Sequence, residues 1–90
     1  MLKINLYKII FILKRENYII TTGELANLTK INYKNIGRYL NLLEKRDLID
    51  RETYQEKRKR YIFNSLTHKG RRFIIPQFYQ PILKKSTSRK

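Results

Sequence analysis

Apolar residues recur along this chain with a helical period at its start, its middle and its end, and with a strand-like period between the last two. Residues 2–15 carry two stripes. Leu2, Leu6, Ile9, Ile10 and Leu13 form one, and Ile4, Tyr7 and Phe11 form a second, well round the helix from the first. The first stripe serves the domain's own core; the second needs a partner, either the C-terminal segment or another subunit. In residues 32–44, Ile36, Leu40 and Leu43 fall at i, i+4 and i+7, which predicts an amphipathic helix. Just upstream, TTGELANL predicts a shorter helix with Thr22 as its N-cap. The run YII at 18–20 is short and rich in β-branched residues, as a brief strand would be. From Leu48 and Ile49 a loose alternation passes through Arg51 and Thr53, and Tyr61, Ile62 and Phe63 form a second strand-like run. The polar tip between them, residues 55–59, has neither Asn-Gly nor Asp-Gly, so its turn type is open. Finally, Thr67 is placed to cap a helix carrying Phe73, Ile74, Ile75, Phe78, Tyr79, Ile82 and Leu83. Pro76 and Pro81 delete amide donors there, so that helix must kink, or stop near Ile75 and restart.

Two helices joined by a tight turn, the second apolar inside and basic outside, describe a helix-turn-helix. A two-stranded hairpin following directly is the wing of a winged helix. The expected fold is mainly α with a small β-hairpin, plus an extra C-terminal helical segment. One domain spans residues 1–85, with the helix-turn-helix at 22–46, the wing at 48–66 and the C-terminal segment at 67–85. Residues 86–90 form a disordered basic tail.

Ninety residues with 41% hydrophobic positions suit a single small core. Charge changes the picture more. The formal net charge is +14, from 21 Lys and Arg against 7 Asp and Glu. All the acids lie between Glu16 and Glu56, and from Lys57 onward there are eleven basic residues and no acid. Solubility alone is served by a mixed-sign surface with less self-repulsion, so this asymmetry points to a polyanionic partner. No cysteine is present, which excludes disulfides and thiolate metal sites and fits a cytoplasmic, nucleoid-associated protein. The longest apolar run, residues 9–13, is far short of the ~20 residues that span a bilayer. His68 is the single histidine, so a metal site is not expected. The three glycines are scattered and form no phosphate-binding loop, and no nucleophile–base set or paired carboxylates stand out. Neither catalysis nor a cofactor is expected.

The candidate chemistry is therefore nucleic-acid binding. Tyr33, Lys34, Asn35, Arg38 and Asn41 lie on the side of the second helix away from its apolar stripe, with no acid among them. Asn pairs with adenine and Arg with guanine in the major groove, and both also bind phosphate. Lys57, Arg58, Lys59 and Arg60 are more cations than are needed to discourage edge pairing, and are expected to meet phosphates or a minor groove. Arg71 and Arg72 either reach the DNA backbone or extend into solvent. Tyr39 sits three residues from Ile36 and four from Leu43, so it is expected to be partly buried. Ile4, Tyr7, Phe11, Phe78 and Ile82 are candidates for a packing or dimer surface.

The segments NYKNIGRYLNLLEKRDLI, KRKRYIF and LTHKG together resemble the winged helix-turn-helix superfamily over just over half the chain. The pattern is most similar to small basic archaeal winged-helix proteins, and more distantly to repressors of the multiple-antibiotic-resistance type. LTHKG is similar to the "LTxKG" step by which these domains leave the wing for their final helix. The resemblance implies binding of duplex DNA as a homodimer, often through a terminal helix. It places Asn32 at the start of the recognition helix, Tyr33, Lys34, Arg38 and Asn41 toward the groove, and residues 57–60 on the wing. Two departures stand out. Asp47 occupies a position where many relatives have Gly, and the C-terminal segment is short and carries two prolines where similar archaeal proteins have a long coiled coil. The function expected is sequence-specific regulation of transcription. One alternative is an architectural protein that coats DNA with little sequence preference; a second is a protein-docking module of the transcription or replication machinery.

Overall fold

In the computed structural model, residues 3–16 and 19–86 are described. Five helices and a three-stranded sheet follow in the order α1 (Lys3–Arg15), β1 (Ile19–Thr21), α2 (Thr22–Thr29), α3 (Tyr33–Lys45), β2 (Ile49–Glu56), β3 (Lys59–Leu66), α4 (His68–Arg72) and α5 (Gln80–Ser86). A 3₁₀ turn at Gln77–Tyr79 precedes α5. The sheet is antiparallel with order β1-β3-β2, so the fold is mainly α with a small sheet, a winged helix-turn-helix with a C-terminal helical segment. Beyond the predicted hairpin, β1 adds a third strand, pairing Ile19 with Ser65 and Thr21 with Phe63. Leu2, Tyr18 and most of the predicted tail lie outside the described residues.

The apolar patterns converge on one core. Leu6, Ile9, Ile10 and Leu13 of α1, Leu25 of α2, and Ile36, Leu40 and Leu43 of α3 are all buried, together with Ile20, Ile49 and Leu66 from the sheet. Ile12, which belonged to neither predicted stripe, is fully buried too. Tyr39 is buried as expected, and its hydroxyl accepts a hydrogen bond from Asn5 Nδ2 at 3.0 Å. Ile4, Tyr7 and Phe11 are half-buried. For Tyr7 the partner is this chain's own C-terminal segment: its ring packs against Tyr79 at 4.8 Å and Phe73 at 6.2 Å between centroids, while Phe11 lines a cleft with Ile74 and Ile75.

Local chemistry fixes the boundaries. Thr21, rather than the expected Thr22, caps α2, its Oγ1 accepting from the Glu24 amide at 3.3 Å. Thr22 is instead buried, and its Oγ1 accepts from Asn64 Nδ2 at 2.9 Å. The turn into α3 is made by Lys30 in the left-handed region and by Asn32, whose Oδ1 accepts from the Lys34 amide at 2.8 Å. At the other end of α3, Asp47 takes the left-handed position (φ 63°). Its amide donates to the Glu44 carbonyl, and the Leu48 amide donates to that of Leu43. This is the double-bonded helix exit usually built on glycine, here built on one of the few other residues that tolerate the conformation.

The LTHKG step has a physical reason. Thr67 accepts the Gly70 amide at 2.9 Å to cap α4, while its hydroxyl donates to the Asp47 carbonyl at 2.6 Å and its own amide donates to the Leu48 carbonyl. A Cβ on Gly70 would lie 2.0 Å from the Leu48 carbonyl oxygen, so only glycine lets α4 press against the start of β2. The C-terminal segment breaks earlier than predicted. α4 ends at Arg72, the backbone is extended at Phe73 and again at Pro76, and α5 starts with Pro81 in its first turn. Pro81 loses no helical hydrogen bond there, and Pro76 biases Ile75 away from helical geometry.

Candidate nucleic-acid interface

The buried stripe of α3 fixes what its opposite face presents. With Ile36, Tyr39, Leu40 and Leu43 in the core, Lys34, Arg38, Asn41 and Lys45 project from the far side, all exposed. Their spacing is i, i+4, i+7 and i+11, one stripe along the helix. Asn35 flanks it, and its Oδ1 accepts from Arg38 Nη2 at 3.5 Å. Tyr33 stands at the N-terminal end of the helix with 62% of its surface exposed. Asn32 is exposed as well, but its side-chain oxygen is engaged as the helix cap, leaving only its amide donors for a ligand. Glycine at 37 has no atom within 4 Å of where a Cβ would stand, so the helix surface there is open.

The hairpin has two unlike faces, because alternate residues of a strand point to opposite sides. Register pairs Arg51 with Asn64, Thr53 with Ile62 and Gln55 with Arg60, which puts these six on the side that meets the helices. No acid is among them. The other side pairs Asp50 with Ser65, Glu52 with Phe63, Tyr54 with Tyr61 and Glu56 with Lys59. Three of the chain's seven acids thus face away from the helix side. Lys57 and Arg58 form the two-residue turn, with Lys57 at φ 55°, and all four cations of residues 57–60 are exposed.

The start of α3 and the β2–β3 hairpin approach each other. Tyr33 and Arg60 line one cleft with Thr21, Thr22, Gly23, Tyr61 and Ile62. Farther along, β2 packs against α3, and Arg51 Nη1 donates to Asn41 Oδ1 at 2.8 Å. Sequence reasoning missed two members of this surface. Lys45 continues the 34–38–41 spacing and was legible from it. Arg51 reaches the helix through tertiary packing, and nothing in its local sequence signals that. Arg71 and Arg72 are exposed at the end of α4. Among the described residues no group of three His, Cys, Asp or Glu side chains is placed to hold a metal ion, and no helix is long and apolar enough to cross a membrane.

No known protein family and no curated protein matches the sequence. Solved structures do match the fold. The chain is similar to AbfR in its disulfide-formed state, with a TM-score of 0.65 and 20% identity, covering 92% of this chain and 51% of that one. It is similar also to overoxidised AbfR bound to DNA (TM-score 0.64, 20% identity, 91% and 54% covered). Reduced AbfR bound to DNA gives 0.64, 18% identity, and 92% and 56% covered. The chain thus spans about half the length of the structures it matches. AbfR is described in disulfide, reduced and overoxidised states, whereas these ninety residues contain no cysteine.

Proposed function

We propose that this protein binds double-stranded DNA as a sequence-specific regulator of transcription, laying α3 in the major groove with the wing on the flanking backbone. The observation that carries this reading is the acid-free stripe Lys34–Arg38–Asn41–Lys45 on a helix whose opposite side is wholly committed to the core. The acid-free side of the hairpin continues it, and the fold is one that AbfR uses when bound to DNA. Phosphate contacts from Lys34, Lys45 and residues 57–60 supply affinity, while Arg38 and Asn41 supply base discrimination. No catalytic role and no cofactor enter this reading.

The protein acts as a homodimer. Phe78, 79% exposed, and Ile82, 47% exposed, offer the apolar surface for it on the C-terminal segment, beside the half-buried Ile4, Tyr7 and Phe11. Ile74, 83% exposed, extends that surface.

Selection from a randomised duplex pool at about physiological salt tests the function, because non-specific binding is weak there. Enrichment of a palindrome with half-sites one helical turn apart is expected. Binding without enrichment would instead support an architectural protein that coats DNA, a reading favoured by the eleven cations that follow residue 56. Absence of binding would overturn both.

A further inference from the structure

We infer that Arg51, on the wing rather than the recognition helix, is a positioning residue: its hydrogen bond fixes which way the Asn41 amide faces when α3 meets DNA. The inference rests on the DNA-binding reading above.

An asparagine amide offers an acceptor on one side and two donors on the other, and the two ends exchange by rotation about one torsion. On an exposed helix nothing decides between them. Here Arg51 Nη1 donates to Asn41 Oδ1 at 2.8 Å. A guanidinium has donors and no acceptor, so this contact is possible in one orientation of the amide and not the other. With Oδ1 turned to Arg51, the Nδ2 hydrogens are left for another partner.

Arg51 is itself partly enclosed by the fold. It is half-buried, and its Nε–H is buried with no hydrogen-bond partner among the described residues. Across the ladder its register partner is Asn64, fully buried on the same side of the sheet. Asn64 spends its Nδ2 on the Ile20 carbonyl at 3.3 Å and Thr22 Oγ1 at 2.9 Å. Its Oδ1 is likewise buried without a partner among the described residues. A donor and an acceptor, each lacking a bond, thus stand at paired positions on the same side of the sheet. Two hydrogen-bonded pairs, Asn64 with Thr22 and Arg51 with Asn41, thus stand at paired positions of the hairpin.

The consequence is a choice of DNA partner. The two-armed pairing of asparagine with adenine needs the amide to donate to N7 and accept from N6 at once. With one lone pair of Oδ1 held by Arg51, the Asn41 amide is fixed in one orientation and its two N–H donors are left for guanine O6 or N7, thymine O4, adenine N7 or a phosphate oxygen. A base acceptor and a phosphate acceptor are distinguished by whether discrimination or overall affinity changes.

The test is duplex selection followed by affinity measurement with wild type, Arg51→Met, Arg51→Lys and Asn41→Ala, each checked for folding by thermal unfolding. Arg51→Met keeps the aliphatic stem and removes the donors. If Asn41 meets a base, Arg51→Met should lose the wild-type preference at one base pair by about fivefold, the scale of one hydrogen bond. Arg51→Lys, which restores a donor, should recover the preference. If Asn41 meets a phosphate, the motif stays unchanged and Arg51→Met weakens all sequences alike. In either case the Arg51→Met effect should vanish in the Asn41→Ala background. Equal Arg51→Met losses with and without Asn41 would overturn the inference while leaving DNA binding intact. So would an Arg51→Met protein with both motif and affinity unchanged. Should Arg51→Met not fold, Asn41→Asp decides: with no donor it should lose what Asn41→Ala loses, and retention of the wild-type affinity and motif would overturn the inference. No binding by wild type would overturn the DNA reading and this inference together.

Discussion

The helix-turn-helix and the C-terminal segment treat their apolar residues in opposite ways. In α2 and α3 every aliphatic residue but Leu28 and Leu42 is buried, and those two are half-buried. From Phe73 onward, Ile75 and Leu83 are buried, but Ile74, Phe78 and Ile82 stand in solvent. The first region has one amphipathic solution, set by caps and spacing that agree with each other. The second is cut by prolines into pieces too short to turn all their apolar residues to one side. One region therefore specifies a surface by finishing its core, whereas the other is left with apolar area that a partner copy can cover.

This contrast predicts unequal costs. The largest is at Leu40, fully buried in α3: Leu40→Ala should lower unfolding free energy by about 2–5 kcal/mol in a denaturant titration. Phe78→Ala, by comparison, should change the stability of the monomer by no more than about 0.5 kcal/mol. A cost at Phe78 comparable to that at Leu40, persisting under dilution, would break the comparison. At the junction of the regions, Gly70→Ala should cost about 1–3 kcal/mol or more, because its methyl meets a backbone carbonyl rather than a side chain that can move. Asn32 sharpens the recognition half: Asn32→Ala should cost about 1 kcal/mol through loss of the α3 cap. Asn32→Asp keeps the cap acceptor and adds a negative charge. It should hold stability yet weaken DNA binding, so equal binding by the two proteins would remove Asn32 from the interface. Smallest in its effect on folding, Phe78→Ser with Ile82→Ser should leave the thermal midpoint nearly unchanged. It should, however, shift sedimentation toward monomer, and an unaltered assembly would move the dimer surface elsewhere.

Legibility in the sequence followed the same divide. Ile36, Leu40 and Leu43 announce the buried side of α3, and so its exposed cations, because helix geometry links position to face directly. Thr67 and Gly70 were readable as a step but not as a cause; the cause is a carbonyl 22 residues earlier in the chain. The choice of Thr21 over Thr22 as the α2 cap was hidden because either hydroxyl fits locally, and buried Asn64 decides by claiming Thr22. Arg51 was unreadable for the same reason: strand register sets it opposite Asn64, and the packing of β2 on α3 brings it to Asn41. The early stop of α4 was half-legible, since prolines mark a break without saying where the chain resumes.

The most direct test of the central claim is the salt dependence of duplex binding, measured for wild type and for Lys34→Ala combined with Arg38→Ala. Both residues are fully outside the core, so the fold should survive. Wild-type affinity should fall steeply and linearly on a log–log plot, and the double variant should bind more weakly with a slope shallower by roughly 0.9 for each phosphate contact removed. A double variant with the affinity and salt slope of wild type would contradict the assignment of α3 to the DNA groove.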